Sequence, residues 1–160
     1  MYSLWLDLDK TIWNCYNEVG VEIWAKDLKG PFTVSKDSPD KIVASNGKCE
    51  LQSGLRKFFL KAKDETHSIN TISAGADFIN RFEDQPSYLL LMLLGLLKYQ
   101  DNIVLQTREF NKGRFLSKLN NKNIVFIDDD PIQIRNSNDY NIFSINRGSF
   151  TLWNTLVIAQ

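Results

Sequence analysis

The chain has 160 residues, the size of one ordinary domain built on a single core. Apolar residues make up 43% and charged residues 24%, which sets it among globular chains and apart from disordered or fibrous ones. Lys+Arg and Asp+Glu balance at 19 each, so net charge gives no reason to expect a polyanionic partner such as nucleic acid.

The first predicted element is the apolar, aromatic-rich run SLWLDL (3–8), which reads as a strand buried on both faces. No basic segment or cleavable apolar region precedes it, so no signal peptide is expected and a cytoplasmic location is. Cys15 and Cys49 lack the spacing of a metal knuckle. They are open to a disulfide, but two free thiols suit a reducing compartment. Between 14 and 50 lie the strand-like pieces PFTVS (31–35), KIVAS (41–45) and KCEL (48–51), parted by the turn signals KDSPD and NGK. This spacing predicts a small antiparallel flap inserted at about 14–51, followed by a helix, SGLRKFFLKAKD (53–64).

Four more β-type runs follow: SINTIS (68–73), NIVLQ (102–106), NIVFID (123–128) and NIFSI (141–145). Helical patterns separate them at ADFINRF (76–82), PSYLLLMLLGLLKY (86–99), GRFLSKLNN (113–121) and DPIQIRNSND (130–139). FTLWNTLVI (150–158) reads as a last helix. The alternation argues for an α/β, three-layer sandwich with a central parallel five-stranded sheet, all in one domain spanning 1–160. The run YLLLMLLGLL (88–97) is about half the length that spans a bilayer, so no membrane is expected. It reads as a core helix whose all-round apolarity leaves room for a weak homodimer contact on an otherwise monomeric chain.

In an open parallel sheet a ligand sits beyond the carboxyl ends of the strands. There the first strand presents Asp7 and Asp9, the second Ser73, the loop after the third Lys112, and the fourth Asp128, Asp129 and Asp130. Adjacent acids repel unless a cation offsets them, and an oxygen-only set suits Mg²⁺. Phosphoryl transfer uses such a set. One carboxylate attacks phosphorus, a second acid protonates the leaving oxygen, and a lysine and a hydroxyl steady the transferring group. Two positions along a strand span roughly 6–7 Å, so Asp7 and Asp9 are expected to project to one side, one behind the other. Asp130, before Pro131, reads as a helix N-cap. His67 is the only histidine and is given no role. Trp13, Trp24 and Phe32 are candidates for the substrate entrance under the flap, with plain packing the competing role.

These motifs resemble those of the haloacid-dehalogenase (HAD) superfamily of phosphatases over nearly the whole chain. WLDLDKTIW is similar to its first motif, INTIS to its second, Lys112 to its third and IVFIDDD to its fourth. DLDKTIW is most similar to the magnesium-dependent phosphatases, which also carry a short flap. CELQSGLRKFF resembles the Arg-Pro-Gly-Leu-x-x-Phe stretch of related phosphatases acting on polymerase tails. The resemblance implies Asp7 as nucleophile, Asp9 as general acid/base, and Ser73 and Lys112 as phosphate ligands. It implies Mg²⁺ held by Asp7, by the backbone carbonyl of Asp9, and by Asp128 and Asp129. Two choices stay open: Lys118 in place of Lys112, and which of Asp128, Asp129 and Asp130 ligate directly. The small residues of SAGAD after Ser73 depart from the family, where a polar residue often follows. The expected activity is phosphomonoester hydrolysis on a phosphoprotein (phosphotyrosine by family analogy) or a small sugar phosphate. The alternatives are a degenerate HAD-like domain that binds Mg²⁺ or a phosphorylated partner without turnover, and a receiver domain. The receiver is disfavoured because its acids lack the Asp-x-Asp spacing.

Overall fold

A computed structural model describes residues 1–77, 79, 81–107, 110–120 and 123–158. Its centre is β1 (Tyr2–Leu6), all five residues of which are buried. Around it lie β7 (Thr66–Ala74), β8 (Asn102–Gln106), β9 (Ile124–Asp128) and β10 (Phe143–Asn146) in a five-stranded sheet ordered β10-β9-β1-β7-β8. Every pairing in it is parallel. Successive residues of a strand face opposite ways, and here both faces are covered. Leu4, Leu6, Val125 and Ile127 join one apolar cluster with Phe58, Phe59 and Leu90. Trp5, Phe126 and Ile72 join another with Leu116 and Ile134. The first cluster is fed by helices α1 (Leu55–Glu65) and α2 (Pro86–Leu93), and the second by α3 (Lys112–Ser117) and α4 (Pro131–Asp139). The protein is thus α/β with a parallel five-stranded sheet.

A second, antiparallel sheet follows β1. Its strands are β2 (Trp13–Asn17), β3 (Glu22–Ile23), β4 (Thr33–Val34), β5 (Lys41–Ala44) and β6 (Gly47–Leu51), ordered β3-β2-β6-β5-β4. The expected flap therefore has two more strands than the turn signals suggested. Cys15 and Cys49 are register partners across β2 and β6, both buried and both free thiols. Burial pushes the Cys15 thiol far above its usual range, which keeps it protonated and unreactive.

Several expectations are corrected. The segment 150–158 is not a helix: it holds a single 3₁₀ turn, Trp153–Thr155. Phe150, Trp153 and Leu156 recur every third residue because they anchor an irregular strap on the core, not because they share a helix face. In the stretch 76–82, residues 76, 77, 79 and 81 are not helical, and 78 and 80 lie outside the described residues. A 3₁₀ turn comes slightly later, at Phe82–Asp84. The long helix 86–99 breaks after Leu93, where Gly95 takes φ 71, a left-handed conformation that ends helices; a 3₁₀ turn, Leu97–Tyr99, comes next. The helix at 113–121 is shorter than expected, as α3 ends at Ser117; residue 121 lies outside the described residues. Among the described residues, no helix is long and apolar enough to cross a membrane.

Strand register fixes where the acids emerge. Leu6 lies opposite Ile127 on β9 and Thr71 on β7, so the next residue of β1 emerges beside Asp128, with Ser73 on the other flank. A one-residue slip would turn the side chains to the opposite face.

Candidate active site

β1 ends at Leu6, two residues before the strand was expected to end, and the chain then turns. Asp7 still donates its N–H to the Ile127 carbonyl (3.0 Å), which ties it to β9. Lys10 takes φ 63, rare for a residue with a side chain, and it closes the turn by donating its N–H to the Trp13 carbonyl (2.7 Å). Asp9 therefore does not sit one strand step behind Asp7. It leans toward the flap, where its Oδ1 accepts from the Ala25 N–H (2.8 Å) and from Trp13 Nε1 (3.0 Å). Both carboxylates still line one cavity of about 300 Å³, together with Ser73, Lys112, Asp128 and Asp129.

Asp7 is the hub of this cavity. Its Oδ1 accepts from Lys112 Nζ (2.8 Å) and Ser73 Oγ (3.2 Å), and its Oδ2 from Thr11 Oγ1 (3.0 Å). Lys112 Nζ also donates to Asp128 Oδ2 (2.8 Å). The Thr11 hydroxyl accepts from the Asp129 N–H (3.1 Å), so it joins the first loop to the fourth strand end. Asp130 accepts from the Ile132 N–H (2.9 Å) as an N-cap of α4 and stays out of the carboxylate cluster. Lys118 is exposed at the end of α3, away from these contacts, whereas Lys112 is buried among them. The geometry thus brings Lys112, Asp128 and Asp129 to Asp7; Asp130 lines the same cavity but lies outside the carboxylate cluster, and Lys118 does neither.

Charge is tightly matched here. Burial opposes ionisation of Asp7, but the Lys112 ammonium and the hydrogen bonds around it hold its carboxyl below the usual range. The two carboxylates raise the Lys112 ammonium despite its burial. Burial and the neighbouring Asp7 charge push Asp128 up to about 8 and Asp129 up to about 6. Burial, with a smaller push from Asp7, takes Asp9 up to about 7, against the pull of its two N–H donors. One ammonium is too little positive charge for the whole set. Carboxylate oxygens of Asp7, Asp128 and Asp129 lie within 4.8 Å of one another. Oxygen-only donors gathered this closely suit a hard divalent cation such as Mg²⁺. The Asp9 carboxylate is not part of that cluster. These three residues could hold a divalent cation.

The sequence gives no direct sign of several supporting residues. Gln133 of α4, buried, accepts from the Lys112 N–H (3.0 Å) and donates to the Phe110 carbonyl (2.9 Å), fixing the lysine's approach. Gly113 lets α3 come this close: a Cβ there would sit 2.7 Å from the Asn136 backbone. Gln85 pins the loop after β7 through both the N–H and the carbonyl of Ala76. Each glutamine is ordinary in sequence, given its role by a partner that only folding brings near. Of the three entrance candidates, Trp24 lines the cavity. Trp13 is fully buried as a donor to Asp9, and Phe32 lines a separate groove beside α2. Compared with known protein families and with curated proteins, the chain matches none.

Proposed function

We propose that this protein is a Mg²⁺-dependent phosphomonoester hydrolase of the HAD type, working through an aspartyl-phosphate on Asp7. The observation that carries the reading is the convergence on Asp7, at the end of β1, of the Ser73 hydroxyl, the Lys112 ammonium and the Asp128–Asp129 carboxylate pair from three other strand ends. A salt bridge made only for stability would not need a second pair of acids beside it or an open cavity in front of it.

When bound by Asp7, Asp128 and Asp129, Mg²⁺ would supply charge neutralisation for the transferring phosphoryl group. The residues of the chain do the rest. Lys112 and Ser73 hold the non-bridging phosphate oxygens so that an Asp7 oxygen faces phosphorus in line with the leaving oxygen. The Asp7 O–P bond forms as the P–O bond to the leaving group breaks, and Asp9 gives its proton to the departing oxygen. Asp9, now a carboxylate, takes a proton from a water that attacks the aspartyl-phosphate. The O–P bond breaks, phosphate leaves and Asp7 returns. What supports both roles for Asp9 is that Ala25 and Trp13 hold its carboxylate at the flap while it lines the same cavity as Asp7. The substrate is a phosphorylated protein side chain or a small sugar phosphate, and a reducing cytoplasm suits the two free thiols.

The test is release of phosphate from p-nitrophenyl phosphate. Turnover is expected with Mg²⁺, none with EDTA, and recovery when Mg²⁺ is restored. No release across divalent metals and pH, with Mg²⁺ binding intact, would instead leave a binding domain without turnover.

A further inference from the structure

We infer that Gln52, backed by Trp153 and Arg147, is a positioning residue that clamps the Asp7–Thr11 loop from behind and so sets the directions of Asp9 and Thr11; the catalytic part of this rests on the function proposed above. Gln52 does not line the cavity that holds Asp7, so it has no contact with a substrate bound there. Its side-chain amide nevertheless makes all four hydrogen bonds open to it. Nε2 donates to the Lys10 carbonyl (3.0 Å) and to Asn14 Oδ1 (3.0 Å). Oε1 accepts from Arg147 Nε (2.6 Å) and Trp153 Nε1 (3.0 Å). The Gln52 N–H donates to the Ile12 carbonyl (2.8 Å), and Trp153 Nε1 reaches the Thr11 carbonyl (3.1 Å).

Three consecutive carbonyls, those of Lys10, Thr11 and Ile12, are therefore held by two residues that lie far away in sequence. Lys10 is the left-handed residue of the turn, and its two neighbours are the acid at the flap and the hydroxyl that joins Asp7 to Asp129. A strained backbone persists only where its surroundings over-determine it. Arg147 completes the clamp. Its guanidinium lies 4.4 Å from the Phe150 ring centre and 5.4 Å from that of Trp153, and it donates to the Phe150 and Thr151 carbonyls. This accounts for the strap at 150–158: an irregular path lets the Trp153 indole reach both the loop and Gln52.

Gln52→Glu separates positioning from folding. The carboxylate still accepts from Arg147 and Trp153 and gains a charge pair with Arg147, but it loses the N–H donors to the Lys10 carbonyl and Asn14. With p-nitrophenyl phosphate and Mg²⁺, kcat is expected to fall about 10- to 100-fold, with KM changed less than about twofold, because the phosphate-holding residues lie on other elements. Trp153→Phe, which keeps an apolar ring but loses the N–H, is expected to lower kcat in the same way by a smaller factor. Amide hydrogen exchange supplies a readout free of turnover. In Gln52→Glu, the amides of Thr11 and Ile12, which donate to the Leu8 carbonyl, are expected to lose protection while those of β1 and β9 keep theirs. Unchanged kcat with unchanged loop protection would overturn the clamp, as would protection lost evenly across the fold. Should the unaltered protein release no phosphate, the functional reading falls, and the exchange pattern alone decides whether the clamp exists.

Discussion

Asp7→Asn is expected to stop turnover, lowering kcat for p-nitrophenyl phosphate by about 10⁴-fold or more, as loss of a covalent nucleophile does elsewhere. The amide keeps the shape of the side chain, and its one carbonyl oxygen can still accept from Lys112, while the NH₂ takes the place of the oxygen that faces Thr11. It cannot attack phosphorus. The substitution also removes one negative charge from a cluster in which three carboxylates face one ammonium. The metal-free variant is therefore expected to be at least as stable as the original protein, with a smaller rise in melting temperature on adding Mg²⁺. Melting curves in EDTA and in Mg²⁺, measured beside the rate, separate this outcome from misfolding. A variant that lost activity and stability together in EDTA would argue that Asp7 is there for the fold.

Lys112→Met is expected to give the opposite pattern. The Lys112, Asp7 and Asp128 side chains are all at most 9% exposed, and Nζ stands 2.8 Å from each carboxylate. Methionine fills most of the space but leaves two buried carboxylates without their cation. Breaking a buried pair in this way costs about 3–5 kcal/mol. For a chain of this size that is a fall in melting temperature on the order of 10 °C. Mg²⁺ is expected to restore part of it, since the ion replaces the missing positive charge. The rate stays low even in Mg²⁺, by about 10²- to 10³-fold, because a charge-stabilising donor to the phosphoryl oxygens is gone. Denaturation in EDTA is the decisive comparison. A variant as stable as the original there would mean that the ammonium does not hold the acids together.

The two variants also show which parts of the site were legible in the sequence. SLWLDL and NIVFID are apolar runs that end in acids, and a strand covered on both faces needs such runs. The parallel sheet and the convergence of Asp7 with Asp128 follow once Leu6 and Ile127 pair in register. The cap role of Asp130 was legible because Asp-Pro at a helix start leaves little choice. What was hidden depends on partners distant in the chain. The polar, poorly patterned WNCYN becomes β2 because it pairs with β3 and β6. For Trp13 the sequence leaves an entrance role and plain packing open; it is packed in the core with its N–H on Asp9, a contact that exists only because the chain turns at Lys10. That turn, and with it the true relation of Asp7 to Asp9, is fixed by Gln52 and Trp153, which nothing local marks. The strap at 150–158 misled for the same reason, since apolar residues three apart fit a helix face and a series of anchors equally well.

Covalent chemistry at Asp7 is open to direct observation by mass spectrometry of protein mixed with p-nitrophenyl phosphate and Mg²⁺, then quenched in acid within the first turnover. The mass of one added phosphoryl group is expected on the peptide that carries Asp7, absent in EDTA and absent in Asp7→Asn. Phosphate released with no such adduct, or an adduct on a peptide without Asp7, would contradict the aspartyl-phosphate route.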